Sequence, residues 1–141
     1  MGACTLPPQV CKTNLDYGVF LQSADDTLVD HNVTSLGQTG VWVDSTKNAT
    51  ITNNLISNID ILDGVDFAAT VSTSTAIRIQ NNVFRHMSTV SKSAGIRATG
   101  QSSSISYNTI NEAYAGVLFA EGNTVKGNSY YNTDITQQTI P

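Results

Sequence analysis

The stretch "SISYNTINEAYAGVLFAEGNTVKGNSYYNT", Ser104–Thr133, nearly repeats itself: a β-branched residue, an Asn three positions on, a Gly-Val pair, then a β-branched residue and an Asn again. Self-similarity at a period of 20–50 residues marks a repeat architecture. Working outward from it, Gly followed by a β-branched residue recurs at Gly18-Val19, Gly40-Val41, Gly64-Val65, Gly95-Ile96 and Gly116-Val117, at spacings of 22, 24, 31 and 21 residues. An Asn follows each pair, at Asn32, Asn54, Asn82, Asn108 and Asn128. Three residues before it stand Val29, Ile51, Ile79, Ile105 and Val125, and two after it Thr34, Ile56, Phe84, Ile110 and Tyr130.

Short β-branched runs with polar residues between them, and no ten-residue stretch of helical periodicity, predict strands throughout. Two or three short strands per repeat of 20 to 24 residues fit a solenoid coil, each strand pairing in parallel with its equivalent in the next coil. The repeated Asn then has a physical reason: stacked at a turn, its side chain bonds its neighbours and the turn backbone up the solenoid. The repeated Gly is expected to permit the next bend.

At 141 residues the chain fits one domain, divided here into a leader 1–17, coils 18–132 and a tail 133–141. Charged residues make up 13% and the formal net charge is −4, so Ser, Thr, Asn and Gln carry the surface and nucleic acid is not an expected partner. No window of 18 apolar residues occurs, and "MGACTLPPQV" has neither a basic start nor an apolar core, so neither a membrane span nor a signal peptide is expected. Cys4 and Cys11 form a small disulfide loop or stand as two free thiols; their spacing is not that of a CxxC metal or redox pair.

The segments "ATITNNLISNI", "IRIQNNVF" and "GVLFAEGNTVKGNSYYNT" resemble the right-handed parallel β-helix of the pectin-lyase-like superfamily, over residues 18–132. The resemblance implies an all-β right-handed parallel β-helix solenoid of about five coils, shared by pectate lyases, polygalacturonases, epimerases and phage tailspike depolymerases. The last coil most resembles those of tailspikes and related extracellular polysaccharide-active proteins. Ice binding is set aside, because Arg78 and Gln80 interrupt the ladder that Thr50, Thr52, Ser104 and Ser106 would otherwise form.

Strand alternation sends Val19/Leu21, Val41/Val43, Val65/Phe67, Ile96/Ala98 and Val117/Phe119 inward. The residue between each pair faces out, giving the column Phe20, Trp42, Asp66, Arg97, Leu118. Two aromatic faces for pyranose rings, followed by a carboxylate and a guanidinium for hydroxyls or uronates, are the makings of a sugar-binding groove. The bland alternative is a subunit contact with an exposed Asp66–Arg97 salt bridge worth at most about 1 kcal/mol. Insertions in "ATVSTST" and "HMSTVSKSA" are expected to leave the solenoid beside this groove and wall it.

Asp44 stands two residues beyond Trp42, and strand rise with coil spacing puts its Cα roughly 8 Å from that of Asp66, in the range of an inverting glycosidase pair. By resemblance to pectate lyases, Arg97 would serve as the proton-abstracting base. The cluster of calcium-binding aspartates those enzymes use is not evident, so no cofactor is expected. His31 and His86 read as turn residues, and Asp25-Asp26, Glu112 and Glu121 as solvated corners. The glycosylation patterns at Asn32 and Asn48 are discounted.

The functional expectation is an extracellular or virion-associated module that binds a polysaccharide through Phe20, Trp42 and Arg97 and cleaves it with Asp44, Asp66 and Arg97. The alternative is a non-enzymatic stalk or adhesin-like unit whose outward columns serve assembly. A homo-oligomer, such as a trimer, is expected in either case, because a solenoid end leaves backbone groups unpaired.

Overall fold

The structure, a computed structural model, describes residues 17–35, 39–59, 67–87, 89 and 93–141. Each of the first three coils contains three short strands: β1 (Tyr17–Gln22), β2 (Leu28–Asp30) and β3 (Val33–Ser35); β4 (Thr39–Asp44), β5 (Thr50–Thr52) and β6 (Leu55–Ile59); β7 (Phe67–Ser72), β8 (Arg78–Gln80) and β9 (Val83–Met87). Further on, the third strand of one coil runs directly into the first strand of the next. This gives β10 (Ala94–Ala98), β11 (Ser104–Ser106), β12 (Thr109–Ala120), β13 (Thr124–Lys126) and β14 (Ser129–Ile140). All pairings between named strands are parallel and in register, and no helix occurs among the described residues, so the chain is an all-β parallel solenoid of about five turns.

The core is built by three apolar columns, one per wall. Val19, Val41, Ala69, Ile96 and Val117 are register partners on the first wall. Val29, Ile51, Ile79, Ile105 and Val125 are partners on the second. Thr34, Ile56, Phe84, Ile110 and Tyr130 are partners on the third. Ile51, Ile56, Ile79, Phe84, Ile96, Ile105 and Ile110 are fully buried, each worth about 1.5–3 kcal/mol relative to exposure.

The repeated asparagines form the expected ladder. Backbone N–H and Nδ2 of Asn32 donate to Oδ1 of Asn54 at 2.9 and 3.1 Å; Asn54 donates likewise to Asn82, Asn82 to Asn108, and Asn108 to Asn128. From Asn54 onward each Nδ2 also donates to a carbonyl of the preceding coil, those of Val29, Ile51, Ile79 and Ile105. The residue just before each ladder Asn is left-handed, including His31 at φ 54°. His31 is therefore a turn residue, as its position predicted, whereas His86, also expected at a turn, lies within β9 with a left-handed φ of 53°.

The glycine column works differently from expectation. Gly18, Gly95 and Gly116 are not in the left-handed region. A Cβ on Gly18 would lie 2.7 Å from Cγ2 of Thr34, and one on Gly95 would lie 2.8 Å from Cγ2 of Ile110. Glycine is needed there because the third wall of the same coil packs against the start of the first.

Two boundaries also move. Val41 pairs with Ala69 and Val43 with buried Val71, so the register of the third coil lies four residues later than Val65/Phe67. "ATVSTST" thus lies in β7 and the turn after it, inside the solenoid; its extra residues precede β7 and, like residues 88 and 90–92 of the second insertion, lie outside the described residues. Residues 133–140, expected as a tail, continue β14, which pairs with β12 as far as Ile140. The leader through Asp16, with Cys4 and Cys11, lies outside the described residues.

Candidate ligand-binding face

The first wall carries the predicted aromatic pair. Phe20 on β1 and Trp42 on β4 are register partners, with ring centroids 6.2 Å apart and planes at 83°. This edge-to-face arrangement is a favourable aromatic pair. Phe20 remains 47% exposed, while Trp42 is half-buried. The pair stands on adjacent rungs of a rigid sheet and so presents a fixed apolar step to solvent.

Beyond Trp42 the column departs from expectation. The partner of Trp42 is Thr70, not Asp66, and Thr70 in turn pairs with Arg97. Asp66 lies outside the described residues, and the reason for placing it beside Trp42 and Arg97 is removed by the four-residue shift of β7. Arg97, half-buried, pairs onward with Leu118. Leu118 is buried with Ala94 and Ala115, against Tyr114, Ile135 and Ile140, so this end of the column is apolar packing.

Asp44 begins a second outward column, paired with Gln22 on one side and Ser72 on the other. Ser72 Oγ donates to its carboxylate at 3.1 Å and Thr73 Oγ1 at 2.6 Å. The hydroxyls of Thr73 and then Ser72, with lesser help from Gln22 and Ser45, hold the Asp44 pKa below its ordinary value of 3.8. A carboxylate held in its charged form accepts hydrogen bonds from hydroxyls or takes a proton; it does not supply one at neutral pH. Ser72, Thr73 and Gln22 were missed in the sequence, although "VDST" at 43–46 and "VSTS" at 71–74 are recognisably the same segment.

This arrangement makes a direct prediction. In a carboxyl-detected NMR titration Asp44 should have a midpoint below 3.8, and the Ser72→Ala/Thr73→Val variant should raise it. Because the folded pKa is depressed, the associated stabilisation is present above the unfolded value and is lost as pH falls through the folded one. An unchanged midpoint in the double variant would contradict the assignment of cause.

The fold and face define a parallel β-solenoid with an aromatic and polar outer wall. Over residues 9–139 the chain matches the family model described as periplasmic copper-binding protein (NosD), and it belongs to that family. No curated protein and no solved structure matches the chain.

Copper centres need several nitrogen, sulfur or oxygen ligands converging on one point. Among the described residues no group of three or more His, Cys, Asp or Glu side chains could hold a metal ion. His31, in the turn after β2, contacts Asp30 at 2.8 Å, and His86 contacts Glu112 on the third wall. The described coils do not fit a copper centre.

Proposed function

We propose that this chain is an extracytoplasmic glycan-binding solenoid, which takes a polysaccharide segment along the Phe20–Trp42 step with Asp44 and Arg97 contacting hydroxyls. The observation that carries it is the edge-to-face pair on adjacent rungs, with Phe20 nearly half exposed beside a carboxylate kept charged by hydroxyl donors. The extracytoplasmic location draws on the periplasmic description of the family. The likeness to pectin-lyase-like coils supports the same ligand class.

Binding is favoured over cleavage. An inverting glycosidase needs a protonated acid as well as a base, and Asp44 is the only carboxylate in the two outward columns of this wall among the described residues. A catalytic role for Arg97 would require a partner acid, and none other than Asp44 stands in these two columns among the described residues.

Trp42 is the only tryptophan, so its fluorescence reports this site alone. Titration with oligosaccharides should change its emission saturably, and Phe20→Ala should weaken binding about tenfold, the scale of a lost aromatic contact. Absence of any saturable change across neutral and acidic oligosaccharides would favour a structural module instead. That second reading draws on β14, which pairs with β12 alone among the described strands and so offers an edge for assembly.

A further inference from the structure

The third wall carries a feature that the first lacks. In an ordinary strand one side chain in two faces out. Here the residues at Asn58, His86, Glu112 and Asn132 are left-handed, with φ of 55°, 53°, 59° and 51°. Buried Ile56 and Ile59, Phe84 and Met87, Ile110 and Ala113 are consequently separated by two consecutive outward residues rather than one. The result is a stripe two side chains wide, with Ser57, Arg85, Asn111 and Tyr131 in one column by register.

The content of the stripe is not what a solvated corner requires. Asn is the residue that tolerates this conformation, and it stands at 58 and 132, but the two middle rungs use His86 and Glu112, at a cost of about 1–2 kcal/mol each. The His86 Nδ1 bonds the Glu112 carboxylate across the rungs, which leaves the opposite ring nitrogen on a side chain 58% exposed. Asn132 Nδ2 donates to Asn111 Oδ1 at 3.2 Å. Arg85 is exposed and has no ion-pair partner among the described residues. Tyr131, at one end, is 56% exposed.

We infer that this stripe is a second glycan site, in which Tyr131 supplies a stacking face and Arg85, His86, Asn111, Glu112 and Asn132 contact hydroxyls of a neutral polysaccharide lying along the solenoid axis. Neighbouring rungs, about 4.8 Å apart, place the four-residue column over roughly 14 Å, long enough to meet several sugar units. Side chains already bonded to one another are ordered before the ligand arrives, which lowers the entropic cost of binding. A neutral polymer is favoured over a polyanion because the chain carries a net charge of −4 and Glu112 lies in the middle of the stripe. The inference shares its ligand class with the proposed function but stands on a different wall and different residues.

The test is amide NMR of the full chain titrated with cello-, manno- and xylo-hexaose, with hexagalacturonate as the acidic comparison. At least one neutral hexaose should shift Arg85, Asn111, Glu112 and Tyr131 saturably, in wild type and in Trp42→Ala alike. The Arg85→Ala/Tyr131→Ala variant, altered only at exposed positions, should weaken that response at least tenfold. Shifts confined to the Phe20–Trp42 wall overturn this inference and leave the proposed function standing. Shifts at the stripe alone do the reverse, and none at either wall sinks both. Tighter binding of hexagalacturonate at the stripe overturns the neutral class.

Discussion

Asn82→Ala is expected to destabilise the protein by about 4 kcal/mol, a large part of the 5–15 kcal/mol that holds a typical domain. Asn82 is 1% exposed, and its side chain serves both directions of the ladder. Its Oδ1 accepts from the backbone N–H and Nδ2 of Asn54, and its Nδ2 donates to the carbonyls of Ile51 and Gln80 and to Asn108 Oδ1. Alanine leaves the Asn54 N–H without its acceptor in the interior, at about 1–3 kcal/mol, and removes the Nδ2 bonds to the Ile51 carbonyl and Asn108 Oδ1, at about 1 kcal/mol each. Asn108 Oδ1 keeps the Asn82 backbone N–H, which limits the loss. Asn32→Ala at the exposed end should cost under about 1 kcal/mol, since it removes a donor that water replaces. Urea unfolding followed by circular dichroism gives both values. Equal losses at the two positions would mean that the ladder is decoration and the apolar columns alone set stability.

The ladder and the core were legible because both are column properties that recur in every rung. Ile51, Ile79 and Ile105 keep one spacing from the asparagines, and any one of them would have been ambiguous alone. The third coil was misaligned because Gly64-Val65 copies the local marker without holding its place. Counted back from the ladder, Val19 and Val41 stand thirteen residues before Asn32 and Asn54, and the residue thirteen before Asn82 is Ala69, not Val65. In the first three coils the distance from strand to ladder is held and the insertion collects upstream of it; in the next two the distance shortens, Ile96 standing twelve residues before Asn108 and Val117 eleven before Asn128.

The same reasoning explains what was legible of the site. Phe20 and Trp42 were placed together because both coils carry the standard spacing, and the structure brings them into contact. Asp66 was placed with them only by the misleading marker. His86 was read as a turn residue and Glu112 as a solvated corner, 26 residues apart in sequence. Their pairing follows from the left-handed residue that turns both outward, and only Asn58 and Asn132 at equivalent positions hint at it.

Gly95→Ala should lower stability by about 2–3 kcal/mol, an overpacking cost rather than a conformational one. The added Cβ would lie 2.8 Å from Cγ2 of Ile110 and 3.0 Å from the carbonyl oxygen of Gly116. Ile110 is fully buried and cannot swing away, and the carbonyl belongs to β12, which pairs with β10 at this point. Gly122 is the control: its φ is 90° and a Cβ there meets nothing within 4 Å, so Gly122→Ala carries only the backbone penalty of about 1 kcal/mol. Ile110→Val in the Gly95→Ala background shortens the opposing side chain while keeping the branched methyl that is struck. Ile110→Ala removes that methyl and should therefore recover part of the Gly95→Ala loss, whereas Ile110→Val should not. Additive losses in both double variants, measured in the same urea transitions, would refute the close approach as the reason for glycine at Gly95 and, by the same contact, at Gly18 and Gly116.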